Sequence, residues 1–169
     1  MGLITESKDR RAEVHVDTNA SVVVATAIDV KAPAEIVWSV LADIEEWPSW
    51  NRAVASVSIQ GDIAPGTEFE WKAGPGRIRS TLLQVERPSF IAWSGQTLGL
   101  RANHAFALHA NGERTTVRTE ESYTGLVARL LRVPIRRSLA RALDEGLVDL
   151  KAQAERRATL AHNNPRAAR

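Results

Sequence analysis

The chain contains no cysteine, which excludes disulfide bonds, thiolate nucleophiles and cysteine-ligated metals. It also lacks the Gly-x-Ser-x-Gly turn of serine hydrolases and a phosphate-binding glycine loop that continues into Lys and Ser or Thr. The histidines show no ligand spacing typical of a metal site; they are His15, His104, His109 and His162. We therefore expect neither a metal nor a cofactor.

Long apolar runs and a strong charge imbalance are absent too. No window approaches the roughly 20 apolar residues that cross a bilayer, and the first residues lack the apolar segment of a signal peptide. We expect a cytosolic protein with no integral membrane association. The formal net charge of +2 does not indicate a nucleic-acid partner. No pattern indicates an oligomeric state.

The chain does contain enough apolar residues for one sizeable core, because 44% of its 169 residues are hydrophobic. We expect a single domain over residues 21–160. Residues 1–20 are mostly polar and predict a flexible lead-in, with a weak strand pattern around Val14 and Val16. Periodicity is lost at the other end, so residues 161–169 predict a disordered tail.

Residues 28–51 carry the clearest local pattern, a strand that runs directly into a short helix. Ala32 and Pro33 favour a helix start, since Pro at the first helical position gives up an N–H that would have no partner. An apolar face follows at helical spacing: Ile36, Val37, Val40, Leu41 and Ile44. The segment closes on Trp47, Pro48 and Trp50, which we interpret as a lid, a dimer contact or a packing corner.

Short strand candidates separated by turn residues follow, a pattern that indicates an antiparallel meander. We place strands at 22–30, 54–60, 67–73, 77–86, 90–97, 101–110 and 114–123. The last helix shows one apolar stripe typical of a helix that lies on a sheet: Ile135, Leu139, Leu143, Leu147, Leu150 and Ala154. Gly146 adjoins that stripe and leaves room for close approach. Pro134 either starts this helix or kinks a longer one that begins near Leu126.

Three motifs in this order resemble the START-like superfamily, in its polyketide cyclase/dehydrase and lipid-transport (SRPBCC) branch. They are Ala-Pro-x-x-Ile-Val-Trp at 32–38, Asp43 with Trp47-Pro48-x-Trp50-Asn51, and Thr119-Glu120-Glu121-Ser122-Tyr123. The resemblance covers roughly residues 20–158. It implies an α+β helix-grip fold, with a curved antiparallel sheet of about seven strands around a long C-terminal helix and two short helices after the first strand. The superfamily includes carriers, cyclases and proteins of no known activity.

Turn residues predict which side chains share the concave face of the sheet. We take Asn111-Gly112 and Gly99-Leu100 as two-residue turns, and 74–76 and 87–89 as three-residue turns. These turns place Trp71 opposite Arg79, Phe69 opposite Thr81, Leu83 opposite Trp93, Val85 opposite Ile91, Trp93 opposite Phe106, Gly95 opposite His104, Phe106 opposite Val117 and His104 opposite Thr119. We therefore expect a concave face that is mostly apolar but carries Arg79, His104, Glu121 and Tyr123.

His104 and Glu121 are the candidates for catalysis. The predicted register places them diagonally, with roughly 7 Å between backbones. A carboxylate raises the pKa of an imidazole and burial lowers it, so the pair could supply an acid or base near neutral pH for aldol closure and dehydration of a polyketide. Arg79 or Tyr123 could hold an enolate oxygen. The alternative is that both groups simply satisfy each other or the backbone inside an ordinary core.

The expected partner is a hydrophobic small molecule, such as a polyketide, lipid or isoprenoid, held between sheet and helix. A cofactor-independent cyclase or dehydratase is the second hypothesis, and an accessory protein with a vestigial pocket is the third. The predicted ligand-binding residues are Trp38, Phe69, Trp71, Arg79, Thr81, Leu83, Trp93, Phe106, Thr119, Tyr123, Leu139, Leu143 and Gly146.

A run of arginines lies near Pro134: Arg129, Arg132, Arg136, Arg137 and Arg141. One interpretation is a patch at the cavity mouth for a membrane surface or an acidic ligand. The other is a solvated helix face whose arginines pair with Asp144 and Glu145.

Overall fold

Seven strands and four α-helices make up the part of the chain that the structure, a computed structural model, describes, namely residues 20–74 and 76–163. The strands are β1 (Val22–Val30), β2 (Val54–Ile59), β3 (Glu68–Ala73), β4 (Gly76–Glu86), β5 (Phe90–Thr97), β6 (Leu100–Asn111) and β7 (Arg114–Thr124). The helices are α1 (Ala34–Leu41), α2 (Trp47–Trp50), α3 (Leu126–Leu130) and α4 (Arg132–Asn163), with a 3₁₀ turn at Ile44–Glu46 before α2. The predicted lead-in strand around Val14 and Val16 lies outside the described residues.

The strands form one antiparallel sheet in the order β1-β7-β6-β5-β4-β3-β2. Consecutive strands from β2 to β7 are neighbours, and β1 lies at the sheet edge beside β7. Because β2 lies at the opposite edge, the two short helices between β1 and β2 cross from one edge of the sheet to the other. Helix α4 packs closely along β1 and α1, whereas its backbone stays away from the middle strands. The architecture is the α+β helix-grip fold that the family resemblance implies.

The N-terminal helices form as the sequence indicates. Pro33 occupies the cap of α1, and Val37, Val40 and Leu41 are buried on its inner face. Trp47 starts α2 and is buried, and its indole Nε1 donates to the Leu41 carbonyl oxygen at 2.9 Å. The Trp-Pro-x-Trp corner is therefore tied to the end of α1, which agrees with the packing interpretation of this segment.

The stripe on α4 lies against the core. Its buried members are Leu139, Leu143, Leu147, Leu150 and Ala154, and Ile135 packs against them. Pro134 lies in the first turn of α4, where its missing N–H is tolerated. Residues 126–130 form the separate helix α3. The helix α4 continues through Asn163, three residues into the predicted tail, and 164–169 lie outside the described residues.

One turn prediction is wrong by a single residue, and this reverses the facing of part of β4. Ala73 pairs with Gly76, so two residues and not three connect β3 to β4. Gly74 has φ +69°, the left-handed conformation that such a tight turn needs. Because facing alternates along a strand, Ile78 and Ser80 point inward instead of Arg79 and Thr81.

A β-bulge corrects the prediction for Leu83. The three-residue turn after β4 is confirmed, since Glu86 pairs with Phe90 and Val85 with Ile91. The register then shifts between Leu82 and Gln84, so Leu82 lies opposite Trp93 and Leu83 is 51% exposed. An extra residue at a bulge is unpaired, and the alternation of faces changes on passing it.

Two further turns lie one residue away from the predicted positions, yet the predicted faces are kept. Thr97 pairs with Leu100 and Asn111 with Arg114, so the turns are 98–99 and 112–113. Each shift moves the register by two residues and preserves facing. As a result Trp93 lies opposite His104, Phe106 opposite Thr119 and Leu108 opposite Val117. His104 lies directly opposite Glu121 and not diagonal to it.

None of the helices described here is both long and apolar enough to span a bilayer.

Candidate ligand-binding cavity

A cavity of about 450 Å³ lies between the concave face of the sheet and α4. It exists because α4 packs along β1 at the sheet edge while β4, β5 and β6 curve away from it. Most of its surface is apolar. The walls are formed by the α2 segment, by β3 to β7 and by the inner face of α4, and they include Trp47, Trp50, Trp71, Ile78, Trp93, Phe106, Ile135, Leu139, Leu143 and Gly146.

Aromatic rings form one wall of the cavity. The Trp47 ring lies 5.8 Å from Trp71 and 5.4 Å from Trp93, centroid to centroid, and Trp93 stacks on Phe106 at 5.7 Å. Phe69 supports this cluster from behind at 5.8 Å from Trp47. Aromatic pairs in edge-to-face or offset-stacked geometry stabilise each other by about 0.5 to 1.5 kcal/mol beyond the burial of their area. The wall is therefore apolar and held together by its own ring contacts.

Polar side chains of β6 and β7 interrupt the apolar lining at one place. The His104 Nε2 atom lies 2.8 Å from Thr119 Oγ1, and that hydroxyl donates to the Ala105 carbonyl oxygen at 3.1 Å. Because the hydroxyl proton is already used, Thr119 accepts from the Nε2–H of His104. The His104 ring therefore carries its proton on Nε2 and presents the Nδ1 lone pair to the other side.

Glu121 faces that lone pair. Its Oε2 lies 3.7 Å from His104 Nδ1, which is a close contact but longer than a hydrogen bond. Burial raises the pKa of Glu121 to about 7, and the nearby Tyr123 hydroxyl offsets part of that rise. Burial lowers the pKa of His104 to about 3. The group that titrates near neutral pH is therefore Glu121, and the expectation that the carboxylate would keep His104 titratable is wrong.

Tyr123 completes the polar group. Burial raises the pKa of its hydroxyl far above the ordinary value, and the charge of Glu121 adds to the rise. The phenol thus stays protonated and can donate to an acceptor in the cavity. Three neutral or nearly neutral polar groups in an apolar wall can orient a ligand without the cost of burying a full charge.

The structure brings together most of the predicted site residues. The cavity is lined by His104, Glu121, Trp71, Trp93, Phe106, Tyr123, Leu139, Leu143 and Gly146. Three others support it from behind: Trp38 and Phe69 are buried in the core, and Thr119 holds His104.

Three predicted ligand-binding residues lie on the wrong face of the sheet. Arg79 is 87% exposed and pairs with Glu70 outside the sheet at 3.5 Å, so it cannot hold an enolate oxygen. Thr81 faces outward opposite Glu68, and Leu83 lies in the bulge described above.

The model of the family "Polyketide cyclase / dehydrase and lipid transport" matches residues 21–155. The chain belongs to this family. A comparison with curated proteins finds none that matches. Among the many solved structures that are similar, a hypothetical protein from Helicobacter pylori superposes with a TM-score of 0.73 at 18% identity, over 90% of this chain and 99% of that one.

Two other similar structures carry informative names. A START superfamily protein from Mycobacterium smegmatis gives a TM-score of 0.63 at 17% identity, over 82% of this chain and 97% of the other. The Zhui aromatase/cyclase from Streptomyces sp. R1128 gives 0.63 at 18% identity, over 86% and 96%. At this identity the similarity establishes the polyketide cyclase/dehydrase fold and nothing finer.

Several lining residues of this family member were missed by the sequence patterns. Ile78 and Ser80 line the cavity because the turn after β3 has two residues. The sequence signal for such a tight turn was Gly74, since glycine adopts positive φ readily. Trp47 and Trp50 were visible as an unusual corner, but only the folded chain brings Trp47 beside Trp71 and Trp93 and places both corner tryptophans on the cavity wall. Within 20–74 and 76–163, no group of three or more acidic or histidine side chains is arranged to hold a metal.

Proposed function

We propose that this protein binds a hydrophobic small molecule, such as a polyketide, lipid or isoprenoid, in the cavity between its sheet and α4. The observation that supports this most strongly is a 450 Å³ space whose walls are apolar except for one cluster of polar groups. Ligand pockets typically combine a volume of about 300 to 1,000 Å³ with a few convergent polar groups. A vestigial pocket would be expected to fall below that range.

The ligand would lie with its apolar body between the aromatic wall and the leucines of α4. Each Å² of apolar surface that leaves water contributes about 25 cal/mol, so apolar contact supplies most of the affinity. A polar end, such as a carbonyl or hydroxyl, would meet Glu121, Tyr123 and the Nδ1 lone pair of His104. These groups would select the orientation of the ligand.

Gly146 offers a direct test. It lies on the cavity wall, and a Cβ built on it meets no atom within 4 Å, so a larger side chain would occupy the ligand space without a clash. We expect Gly146→Leu to weaken binding of cis-parinaric acid, a fluorescent polyene fatty acid, by at least tenfold. Ala152→Leu, on the exposed side of the same helix, should bind like the wild type.

Small molecules extracted from the purified wild type and identified by mass spectrometry would name the natural ligand. We expect Gly146→Leu, purified in parallel, to carry much less of it. Equal affinity of Gly146→Leu and wild type for the probe would contradict binding in this cavity.

A second candidate, a cofactor-independent cyclase or dehydratase, is favoured by the pKa of Glu121. A general base is most effective when its pKa lies near the working pH, and Glu121 titrates at about 7 inside the cavity. Its carboxylate would take a proton from a methylene between two carbonyls of a poly-β-ketone. The enolate carbon would then form a bond to a second carbonyl carbon, and the resulting alkoxide would take the proton back from Glu121.

Dehydration would use the same carboxyl. The carboxylate would remove the remaining proton beside the new alcohol and deliver it to the departing hydroxyl, which leaves as water, so no oxidant or reductant is required. Tyr123 would donate to the enolate oxygen. His104, with its pKa at about 3, would accept a hydrogen bond at Nδ1 and would not serve as the base.

Glu121→Gln separates the two candidates. For an enzyme, the variant should lose turnover of a linear poly-β-ketone thioester by about two orders of magnitude or more while it still binds cis-parinaric acid. The wild-type kcat/KM should rise with pH and level off above about 7, because the base must be ionised. If the wild type shows no turnover at any pH while binding persists, the protein is a carrier.

A further inference from the structure

Exposed apolar side chains surround the open end of the cavity. They lie on the turn between β5 and β6, on α3, at the residue that joins α3 to α4, and on the first turn of α4. We call them the mouth patch: Leu98, Leu126, Val127, Leu130, Leu131 and Val133. The parts are contiguous, since a Cβ built on Gly99 would lie 4.0 Å from the Val127 side chain and Gly125 packs on the Gly99 carbonyl. Contiguous exposed aliphatic groups of this kind mark an interaction surface.

The charged residues of segment 126–143, which carries most of the mouth patch, have one sign. All five arginines between 126 and 141 are exposed, and no acidic residue occurs between 126 and 143. Asp144, the expected partner, accepts from the Thr26 hydroxyl at 2.8 Å instead. Among the described residues, none of these arginines forms an ion pair. The predicted pairing with Asp144 and Glu145 is therefore wrong, and the positive charge faces solvent.

Leu98 is held at the tip of this surface against a backbone preference. Its φ is +44° and that of Gly99 is +77°, the pair of left-handed conformations for which Asn-Gly is the favoured sequence. A non-glycine residue there costs about 1 kcal/mol or more, and the side chain recovers little of it by burial because it is 74% exposed. An apolar side chain kept at a strained, exposed tip indicates that it contacts something other than this chain.

The mouth patch is continuous with the cavity. Leu98, Leu100, Ile135 and Ser138 line the cavity wall, and Leu98 also belongs to the patch. Whatever covers the patch would therefore also cover the entrance.

We propose that the mouth patch docks on an anionic lipid bilayer, so that the cavity exchanges its ligand directly with the membrane. Interfacial binding needs aliphatic groups that enter the headgroup region and cations that pair with lipid phosphates, and this surface supplies both. A nucleic acid would match the arginines but would give no role to six exposed aliphatic side chains. A protein interface is typically rich in aromatic residues and methionine, which the patch lacks.

The test is sedimentation of the full chain with vesicles of phosphatidylcholine alone or mixed equally with phosphatidylglycerol. The wild type should bind only the anionic vesicles. Each arginine near such a surface contributes about fivefold in affinity, so Arg132→Ser with Arg136→Ser should weaken binding at least tenfold. The matched control is Arg114→Ser, compared with Arg132→Ser alone. Each removes one exposed arginine that forms no ion pair among the described residues, and Arg114, at the start of β7, is not part of the cavity lining.

The apolar contribution is tested separately. Leu98→Asn should raise the melting temperature, because it relieves the strained turn, while it lowers vesicle affinity severalfold; a destabilised fold cannot explain such a loss. Equal losses in the patch and control variants would overturn the proposal. So would a wild type that ignores anionic vesicles but binds duplex DNA or an acidic peptide through the same arginines.

Discussion

Glu121 and His104 face each other across β6 and β7, and burial moves their pKa values in opposite directions. Glu121 holds its proton up to about pH 7 in the folded state, whereas its ordinary value is 4.5. His104 stays neutral down to about pH 3, whereas its ordinary value is 6.5. Desolvation disfavours the charged form of both groups, so at neutral pH the contact between them is not a salt bridge.

The two groups have opposite effects on stability. The unfolded chain releases the Glu121 proton above pH 4.5 and the folded chain does not, so stability falls as pH rises from 4.5 to 7. The unfolded chain protonates His104 below pH 6.5 and the folded chain does not, so stability falls as pH drops from 6.5 to 3. Between 4.5 and 6.5 the two slopes cancel.

Glu121→Gln should expose this cancellation. Relative to the wild type, its free energy of unfolding should increase with pH from 4.5 to 7, by about 3 kcal/mol in total. The reason is that the wild type loses stability when Glu121 ionises in the unfolded chain only, and the variant has no such carboxyl. Urea denaturation at a series of pH values measures the difference. A difference between the two proteins that does not change with pH would show that Glu121 titrates normally.

Helix α4 serves both as a core element and as a cavity wall. Leu147 and Leu150 pack in the main core with α1 and the sheet, and Leu150 also borders the cavity together with Leu139 and Leu143. Gly146 also lines the cavity, and because it has no side chain it leaves open space there. Because the same stripe performs both tasks, neighbouring leucines on one helix should differ in their contribution to stability.

Leu147→Ala and Leu143→Ala test that difference. Leu147 is surrounded by core atoms, so its truncation should cost about 2 to 5 kcal/mol. Leu143 already borders empty space and has fewer partners to lose, so its truncation should cost distinctly less. Urea unfolding of both variants at one pH gives the comparison. Equal losses would mean that the cavity is filled or collapsed in solution.

For the protein as a whole, the arrangement of sheet and helix places the cavity mouth and the mouth patch at one end. The turn between β5 and β6, α3 and the start of α4 all reach that end. The polar group of Glu121 and Tyr123 lies within the same cavity, on β7, the strand that leads directly into α3. A ligand entering across the patch would reach these groups along an apolar wall.

Strand and helix positions were predictable from local pattern. The predicted bounds of β1 and β5 agree with the structure at both ends, and the stripe of α4 is buried as expected. The face of the sheet on which a side chain lies was predictable where a turn kept its predicted length and was only displaced by one residue. His104, Glu121 and Tyr123 lie on the predicted face for this reason. The prediction failed for Arg79 and Thr81, since one residue fewer in a turn reverses a strand.

Alternation, helical spacing and turn residues therefore suffice for the order of elements, because these features depend on neighbours along the chain, and three short motifs carry the family resemblance. The bulge at Leu83, the approach of Trp47 to Trp93 and the open space beside α4 depend on how distant segments pack. The pKa shifts of Glu121 and His104 were likewise decided only by the tertiary structure, because desolvation is a property of the folded interior and not of any sequence pattern.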